Sequence, residues 1–482
     1  MDFQEALKQD FGEAVSFDPQ ILHSYAHDMG EMPKALTLMI KGRPQAVVVA
    51  RSAKDVSTLL RAARSLNLPL TPRGQASSGY GGSLPYRGGI ILDLSSFNRI
   101  LKIDTDKGQV DVEPGVVWED LAHRLIPHNL ENRICPTSAP SSTVGGWFAV
   151  GGTGIGSLQY GDLLENVLEI DVAVPDGTIR TCSGPDMLPF YQTNGTLGIV
   201  TRLRLACRKA QSLRTIACAF LNAACAVHFL DTAAELAPYS ATLQSAGYCA
   251  MLAKAERRDP AIQEGFLLSL TLPETGFNPA AAAILAEAAD GTMLDAALGE
   301  AEWERRYYPM RIKKAGPSLL VGECVIPFDS FAQFLIETQK ALPSDHFGVE
   351  AYAVKGRKLA VLVYIFDNAA DFLYPLRMAK ALIPLYTAIK HGGRPYATGM
   401  WFAAAAKYVY GEEKLGLVRE IKKKTDPQNL LNPGKLEGPS LPFLPFLNLS
   451  RCILAAGKIL APVAARLSYT KHLRPQTEGE KL

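Results

Sequence analysis

The chain has 482 residues, about three times the ~150-residue prior for one domain, so two or three domains are expected, each with a core of its own. Hydrophobic residues at 48% and charged residues at 20% exclude a disordered or collagen-like chain. Fifty Lys and Arg against 48 Asp and Glu leave a net charge of +2, too little to imply a nucleic-acid partner.

The N-terminus, MDFQEALKQDFGEAV, carries acids where a secretory signal needs a basic start and an apolar stretch. Residues 1–35 read as a helical segment. Residues 46–50 (AVVVA) then predict a buried strand. Val56, Leu59, Leu60 and Ala63 fall at helical spacing within 53–66, and a second short strand follows at Pro69–Thr71. This β-α-β unit ends in a glycine- and serine-rich loop, Arg73–Gly82, which leaves backbone N–H groups uncovered. Short strands are expected at 88–94, 98–104 and 109–115, a helix at Val117–Leu125, and further strands at 166–174, 178–182 and 198–206. Between Arg73 and Gly161 lie 15 of the 40 glycines, which places the centre of ligand binding there. Beyond about residue 210, alanine-rich helices (223–237, 279–298) alternate with strands (264–272, 319–326, 360–366), so a second domain is expected from 211.

The common nucleotide fingerprints fail. No G-x-G-x-x-G opens a helix after a strand, and Gly434-Lys435 is followed by Leu436 where a P-loop needs Ser or Thr. The eight cysteines never form a C-x-x-C pair, which removes zinc-knuckle and iron–sulfur patterns and predicts a reduced, intracellular chain. His23 and His27 lack a third ligand nearby, and no metal is expected. No run of 18 uncharged apolar residues predicts a spanning helix. Three separated loops remain: Arg73–Gly82, Pro136–Tyr160 and Asn194–Thr201. A diphosphate needs several N–H donors with no side chain in the way, and such loops supply them.

In order, the chain shows PRGQASSGYGG, TVGGW, GGTGIGSLQYG, VPDG, GTLGIVT and DPQNLLNPGK. This series resembles the flavoprotein family typified by vanillyl-alcohol oxidase, the flavin-binding chain of glycolate oxidase and alkylglycerone-phosphate synthase, over roughly residues 36 to 438. The resemblance implies FAD and an α+β fold: a two-subdomain PCMH-type FAD-binding domain (36–210), an α+β cap or substrate domain (211–420), a return segment to the FAD domain (421–438) and a basic helical tail (439–482). Carried over, Arg73, Gly74, Gln75, Ala76, Ser77 and Ser78 would hold the pyrophosphate. Pro136, Thr143, Val144, Gly145, Gly146, Gly151, Ser157, Tyr160 and Gly161 would line the isoalloxazine and ribityl chain, although Thr143–Gly146 also reads as a helix-start cap. Gly195, Ile199, Val200 and Thr201 would reach the adenosine side, and Asn432 and Lys435 would return to the flavin. Members that tether FAD through histidine place it where this chain has Ser77. Cys135 lies nine residues before Val144 where the doubly tethered subgroup needs three, so non-covalent FAD is expected.

Substrate chemistry is expected from the cap and from His391-Gly392-Gly393-Arg394-Pro395-Tyr396. Removing a hydride beside a hydroxyl leaves a proton for a base, and a carboxylate wants a bidentate arginine. His391, Arg394, Tyr396 and Arg311 are the catalytic candidates, with Arg306 as an alternative anion clamp. Gly392–Pro395 resembles the aldonolactone oxidases but departs from them at Tyr396, and the HAGDGN metal motif of the hydroxy-acid branch is missing. Tyr352 and Tyr364 are expected as core aromatics. The implied activity is oxidation of a CH–OH group of a small polar substrate (hydroxy acid, sugar lactone or polyol). The electrons would pass to oxygen, a quinone or an iron–sulfur partner subunit. Alternatives are a use of FAD like that of alkylglycerone-phosphate synthase, on a phosphorylated substrate, or a non-catalytic flavin-carrying subunit of a membrane complex.

From Gly438 to Thr477 there is no acidic residue, while Arg451, Lys458, Arg466, Lys471 and Arg474 are present. On a helix from Leu447 to Tyr469 the first three share an arc of about 80°. That pattern predicts either an interfacial amphipathic helix or one packed on the protein's own surface. The expected location is cytoplasmic, or peripheral on the inner membrane face.

Overall fold

The computed structural model describes residues 2–30, 42–275, 277–343, 347–441 and 444–467. The chain divides into two units, Met1–Ser212 with Tyr396–Ile453, and Leu213–Pro395 with Leu454–Leu482.

The first unit contains two larger sheets and, among the described residues, a two-stranded one, Ser440–Leu441 with Leu444–Asn448. Of the larger two, one has the strand order Val15–Ser16, Ala46–Val49, Ile90–Asp93, Leu70–Arg73, and its last three strands are parallel. Parallel neighbours need a crossover, here the helix Ala53–Ser65. Ser52 caps that helix by accepting from the Asp55 N–H, and Val56, Leu59, Leu60 and Ala63 are buried. They pack with Val48, Ile90 and Leu92 into one core. The other sheet is antiparallel: Ile100–Asp104, Gln109–Val112, Ile199–Lys209, Val167–Ala173, Ile179–Ser183, with Leu130–Asn132 also paired to the long central strand.

Late in the chain, the helix Ala406–Thr425 delivers the DPQNLLNPGK turn to the first sheet. Asp426 accepts from the N–H groups of Leu430 and Leu431, at 3.0 and 2.8 Å, and from Lys422 Nζ at 2.6 Å. Lys422, whose pKa burial lowers, also donates to the carbonyls of Thr196 and Leu431. The segment so held bonds both edges of Leu70: Leu70 N–H donates to Leu430 O and Asn432 N–H to Leu70 O.

The second unit is an eight-stranded antiparallel sheet ordered Gly291–Met293, Leu213–Phe220, Phe266–Pro273, Ser240–Ser245, Phe347–Val354, Lys358–Asp367, Ser318–Pro327, Arg394–Pro395. On one face Tyr248, Met251 and Leu252 of the helix Ala246–Glu256 pack with Ile312 against Leu319, Tyr364 and Phe366. On the other, Ile383 of the helix Leu382–Lys390 packs against Leu320 and Ile365.

Two predicted helices change. The single helix anticipated over 279–298 is two, Pro279–Ala288 and Ala296–Glu304, separated by the strand Gly291–Met293. The break is local: Asp290 takes a left-handed φ of 55°, and a Cβ on Gly291 would stand 2.2 Å from the Phe220 ring, so only glycine lets that strand approach. The tail helix is Leu449–Ala464, shorter than 447–469 and with Pro462 inside its last turn. Residues 468–482, with Lys471 and Arg474, lie outside the described residues. Among the described residues no helix is long and apolar enough to cross a membrane.

Candidate cofactor and active site

In the first unit, loops far apart in sequence meet. Ser77 and Ser142 hydroxyls lie 3.0 Å apart, and Ser142 lies 2.6 Å from Ser138. A Cβ on Gly74 would come within 2.5 Å of Thr143 Oγ1, one on Gly82 within 2.8 Å of Asn194 Oδ1, and one on Gly151 within 2.4 Å of Gln192. These glycines are close-approach positions. Asn432, 1% exposed and in a left-handed conformation, fastens two of the loops with one amide: Nδ2 donates to Gly82 O at 3.0 Å and Asn194 O at 2.6 Å. Lys435 is fully buried beside them and donates to Leu84 O at 2.7 Å. Burial pulls its pKa down to about 7, against the opposing charge of Asp28.

The first loop keeps its amides. Ala76 sits at φ 51°, and no acceptor is found among the described residues for the N–H groups of Ala76, Ser77, Ser78 and Gly79. Consecutive amides around a left-handed residue make an anion-binding nest. The second loop differs from expectation. Val144 and Gly145 N–H groups donate to Val116 O and Pro114 O, both at 2.8 Å. Gly146 N–H donates to Thr143 Oγ1 at 3.2 Å, so Thr143 is the N-cap of the helix Val144–Val150 and its hydroxyl is used there. Gly145 is required for packing, since a Cβ would lie 2.4 Å from Pro114 Cβ.

Arg73 does not stand free in the loop. Its Nη1 donates to Tyr25 O at 3.3 Å and His27 O at 2.6 Å, and its guanidinium lies over the Tyr25 ring. Asp28 accepts from Gly81 N–H at 2.9 Å, and burial raises its carboxyl. Tyr25 and Asp28 therefore buttress the loop, a role that no motif or spacing in the N-terminal segment announces. Ser157 Oγ accepts from Gly154 N–H, Pro136 O accepts from Ala139 N–H, and Tyr160 lies under Arg133. A Cβ on Gly161 would strike Glu165, and one on Gly195 would stand 3.1 Å from Pro72. Ile199 and Val200 are buried in the central strand.

Of the catalytic candidates, Tyr396 belongs to this unit. Its hydroxyl accepts from Thr153 N–H at 3.0 Å and donates to Thr153 O at 2.8 Å, so it fixes the Gly151–Gly154 loop. The others lie in the second unit. Arg394 is opposite Val325 on the sheet face that also carries Val321, Tyr364, Glu350 and Gln244. His391 instead ends the helix Leu382–Lys390, with Nε2 3.2 Å from Glu337 Oε1. Lys390 and then His391 pull the Glu337 carboxyl down to about 2. Arg311 is a clamp within its own unit, donating to Glu256 Oε1 at 2.8 Å and to the carbonyls of Arg305 and Tyr307 at 2.6 Å. Neither residue is arranged as the sequence suggested. Arg306 stacks on Trp303 and Tyr307, at 4.3 and 4.5 Å from their ring centroids, with no carboxylate partner among the described residues.

Tyr352 and Tyr364 are buried core aromatics, gathered on Glu350. Glu350 accepts from Gln244 at 3.4 Å and Tyr364 OH at 3.3 Å, and burial pushes its carboxyl from the ordinary 4.5 up to about 7. The unfolded carboxyl loses its proton first as pH rises. The folded state's advantage is therefore complete below 4.5 and declines as pH rises to about 7, by about 3 kcal/mol. Glu350→Gln is expected to flatten that part of the stability–pH curve, measured by urea unfolding at a series of pH values. An unchanged slope would contradict the assignment.

The site fits FAD. Asn432 Oδ1, on the residue that fastens Gly82 to Asn194, and Thr153 Oγ1, in the loop fixed by Tyr396, are buried with no hydrogen-bond partner among the described residues, and buried polar atoms without partners call for a ligand or water. Residues 44–183 match the FAD binding domain model, and residues 214–436 match the model of the FAD linked oxidases, C-terminal domain. The chain is a two-domain FAD-linked oxidoreductase. FAD is the cofactor of this flavoprotein. It is similar to the mitochondrial D-lactate dehydrogenase [cytochrome] of Arabidopsis thaliana, 24% identical over 83% of this chain and 74% of that protein. It is also similar to a D-lactate dehydrogenase of Anaerostipes hadrus, 24% identical over 90% and 96%. In fold it resembles an alkyldihydroxyacetonephosphate synthase structure, with a TM-score of 0.73 at 17% identity over 90% of this chain and 85% of that one.

Proposed function

We propose that this flavoprotein oxidises the CH–OH group of a small 2-hydroxy acid of the D-lactate or glycolate kind. The observation that carries the reading is the extended similarity to two D-lactate dehydrogenases, which spans both the FAD domain and the cap. The phosphorylated-substrate alternative has likeness of fold alone behind it.

FAD, when bound, supplies the hydride acceptor. The protein's contribution is binding and orientation. The amides of Ala76–Gly79 receive the diphosphate, and Asn432 holds the loops of Gly82 and Asn194 in one arrangement. Tyr396 sets the Gly151–Gly154 loop through Thr153. Arg394 and Arg306 are the arginines suited to a substrate carboxylate, because planar bidentate donors match its two oxygens. Ser77 stands where a tethering histidine would be, and its hydroxyl lies 3.0 Å from that of Ser142; non-covalent FAD that leaves with the supernatant on acid precipitation is the expected result, and colour retained in the pellet would point to a covalent link. Turnover would also require an external electron acceptor.

The carboxylate requirement has a direct test. With an artificial acceptor, D-lactate is expected to exceed its methyl ester in kcat/KM by at least about tenfold, the worth of a charge-assisted hydrogen bond. Equal rates would remove the arginine clamp from the account.

A further inference from the structure

We infer that the tail helix and the loop beside it form a docking surface for an anionic lipid bilayer. The helix Leu449–Ala464 and the turn after it divide into three sectors at about 100° per residue. Gly457, Ala461, Ala464 and Ala465 are buried. They are small because the contact is close: a Cβ on Gly457 would stand 2.3 Å from Leu382, and Ala461 and Ala465 pack with Leu320, Ile365 and Ile383. The basic sector holds Arg451, Lys458 and Arg466, all exposed. The third sector is apolar yet faces solvent: Ile459 is 74% exposed, with Val463 and Leu460 beside it. A helix serving only its own domain would not need that third sector.

A second exposed apolar element lies close to the helix. Tyr374 is buried in the same cluster as Ala461 and Ala465, so the loop before it adjoins the helix. That loop presents Phe372, 94% exposed, followed by Leu373. The projection is built, not slack. Asp367 and Arg377, both buried, pair at 2.9 and 3.0 Å. Arg377 also reaches Asp371 at 3.1 Å, Asp371 accepts from Leu373 N–H, and Ala369 N–H donates to Ser318 Oγ at 2.9 Å. Lys380 holds the chain leaving the helix by donating to Leu467 O at 2.9 Å.

The charge selects the occupant. The nearest acids on the loop, Asp367 and Asp371, are paired with Arg377, and the chain carries no acid from Gly438 to Thr477. A second copy seated on this face by a twofold axis would set Lys458 and Arg466 against their own like charges. A bilayer with anionic headgroups takes both components at once: apolar side chains enter the acyl boundary and the cations meet phosphates.

The test is flotation of the full-length flavoprotein with vesicles of phosphatidylcholine, with or without phosphatidylglycerol. Binding to the phosphatidylglycerol vesicles that weakens with salt is expected. Lys458→Glu with Arg466→Glu, and separately Phe372→Ser with Ile459→Ser, should each lower it about tenfold or more, with flavin content unchanged. Binding to neither vesicle, or binding unaffected by both pairs of changes, would overturn the proposal. So would a concentration-dependent dimer that Ile459→Ser abolishes, since a second copy would then be the occupant.

Discussion

Asn432→Leu is expected to yield a folded protein that has lost most of its FAD. The side-chain amide is the link between Gly82 O and Asn194 O, at 3.0 and 2.6 Å, within a buried setting. Leucine fills a similar volume but leaves the buried Asn194 carbonyl and the half-buried Gly82 carbonyl without a donor, at about 1–3 kcal/mol for a buried group. The loops can relieve that cost only by moving apart, and their convergence is what shapes the cofactor site. The flavin-to-protein absorbance ratio should fall, and the FAD dissociation constant should rise by at least about thirtyfold. Gln428→Leu, exposed on the same segment, serves as the control and should keep its flavin. Full FAD occupancy in Asn432→Leu would mean that the loops do not depend on this fastening.

Arg394→Ala is expected to keep FAD and lose turnover. The loops are fastened by residues of their own domain, so their cofactor should stay. The guanidinium lies on the sheet face shared by Val321, Glu350 and Tyr364, and on our reading it meets the substrate carboxylate. Truncating one partner of such a charge pair costs about 3 kcal/mol or more, roughly two orders of magnitude in kcat/KM. Arg394→Lys should recover little, because an ammonium cannot reproduce the planar fork. Normal turnover in Arg394→Ala would shift the anion clamp to Arg306.

The sequence made the strand-and-loop order legible because its signals are local. Val56, Leu59, Leu60 and Ala63 mark one helix face, and glycine runs mark where loops must pass close to one another. What stayed hidden depends on long-range contact. Thr143 could equally line a cofactor or cap a helix, and only the neighbouring carbonyls of Pro114 and Val116 show that the amides after it are used by the protein. Arg73 reads as a pyrophosphate ligand until Tyr25 and His27, almost fifty residues earlier in the chain, are seen to accept from it. His391 and Arg394 look like one cluster three residues apart. In the fold one joins Glu337 on a helix while the other joins a strand. Asp28 carried no signal at all. The Asp290-Gly291 break lies inside an alanine-rich stretch, Pro279–Ala288 before it and Ala296–Glu304 after it, whose composition favours one helix.

The most direct measurement is the flavin absorbance of the purified protein under anaerobic conditions as candidate donors are added. The account predicts bleaching by D-lactate or glycolate and no bleaching by a phosphorylated hydroxy-ketone or by a sugar lactone. An oxidised spectrum that persists with every 2-hydroxy acid, or bleaching by a lactone or polyol instead, would contradict it.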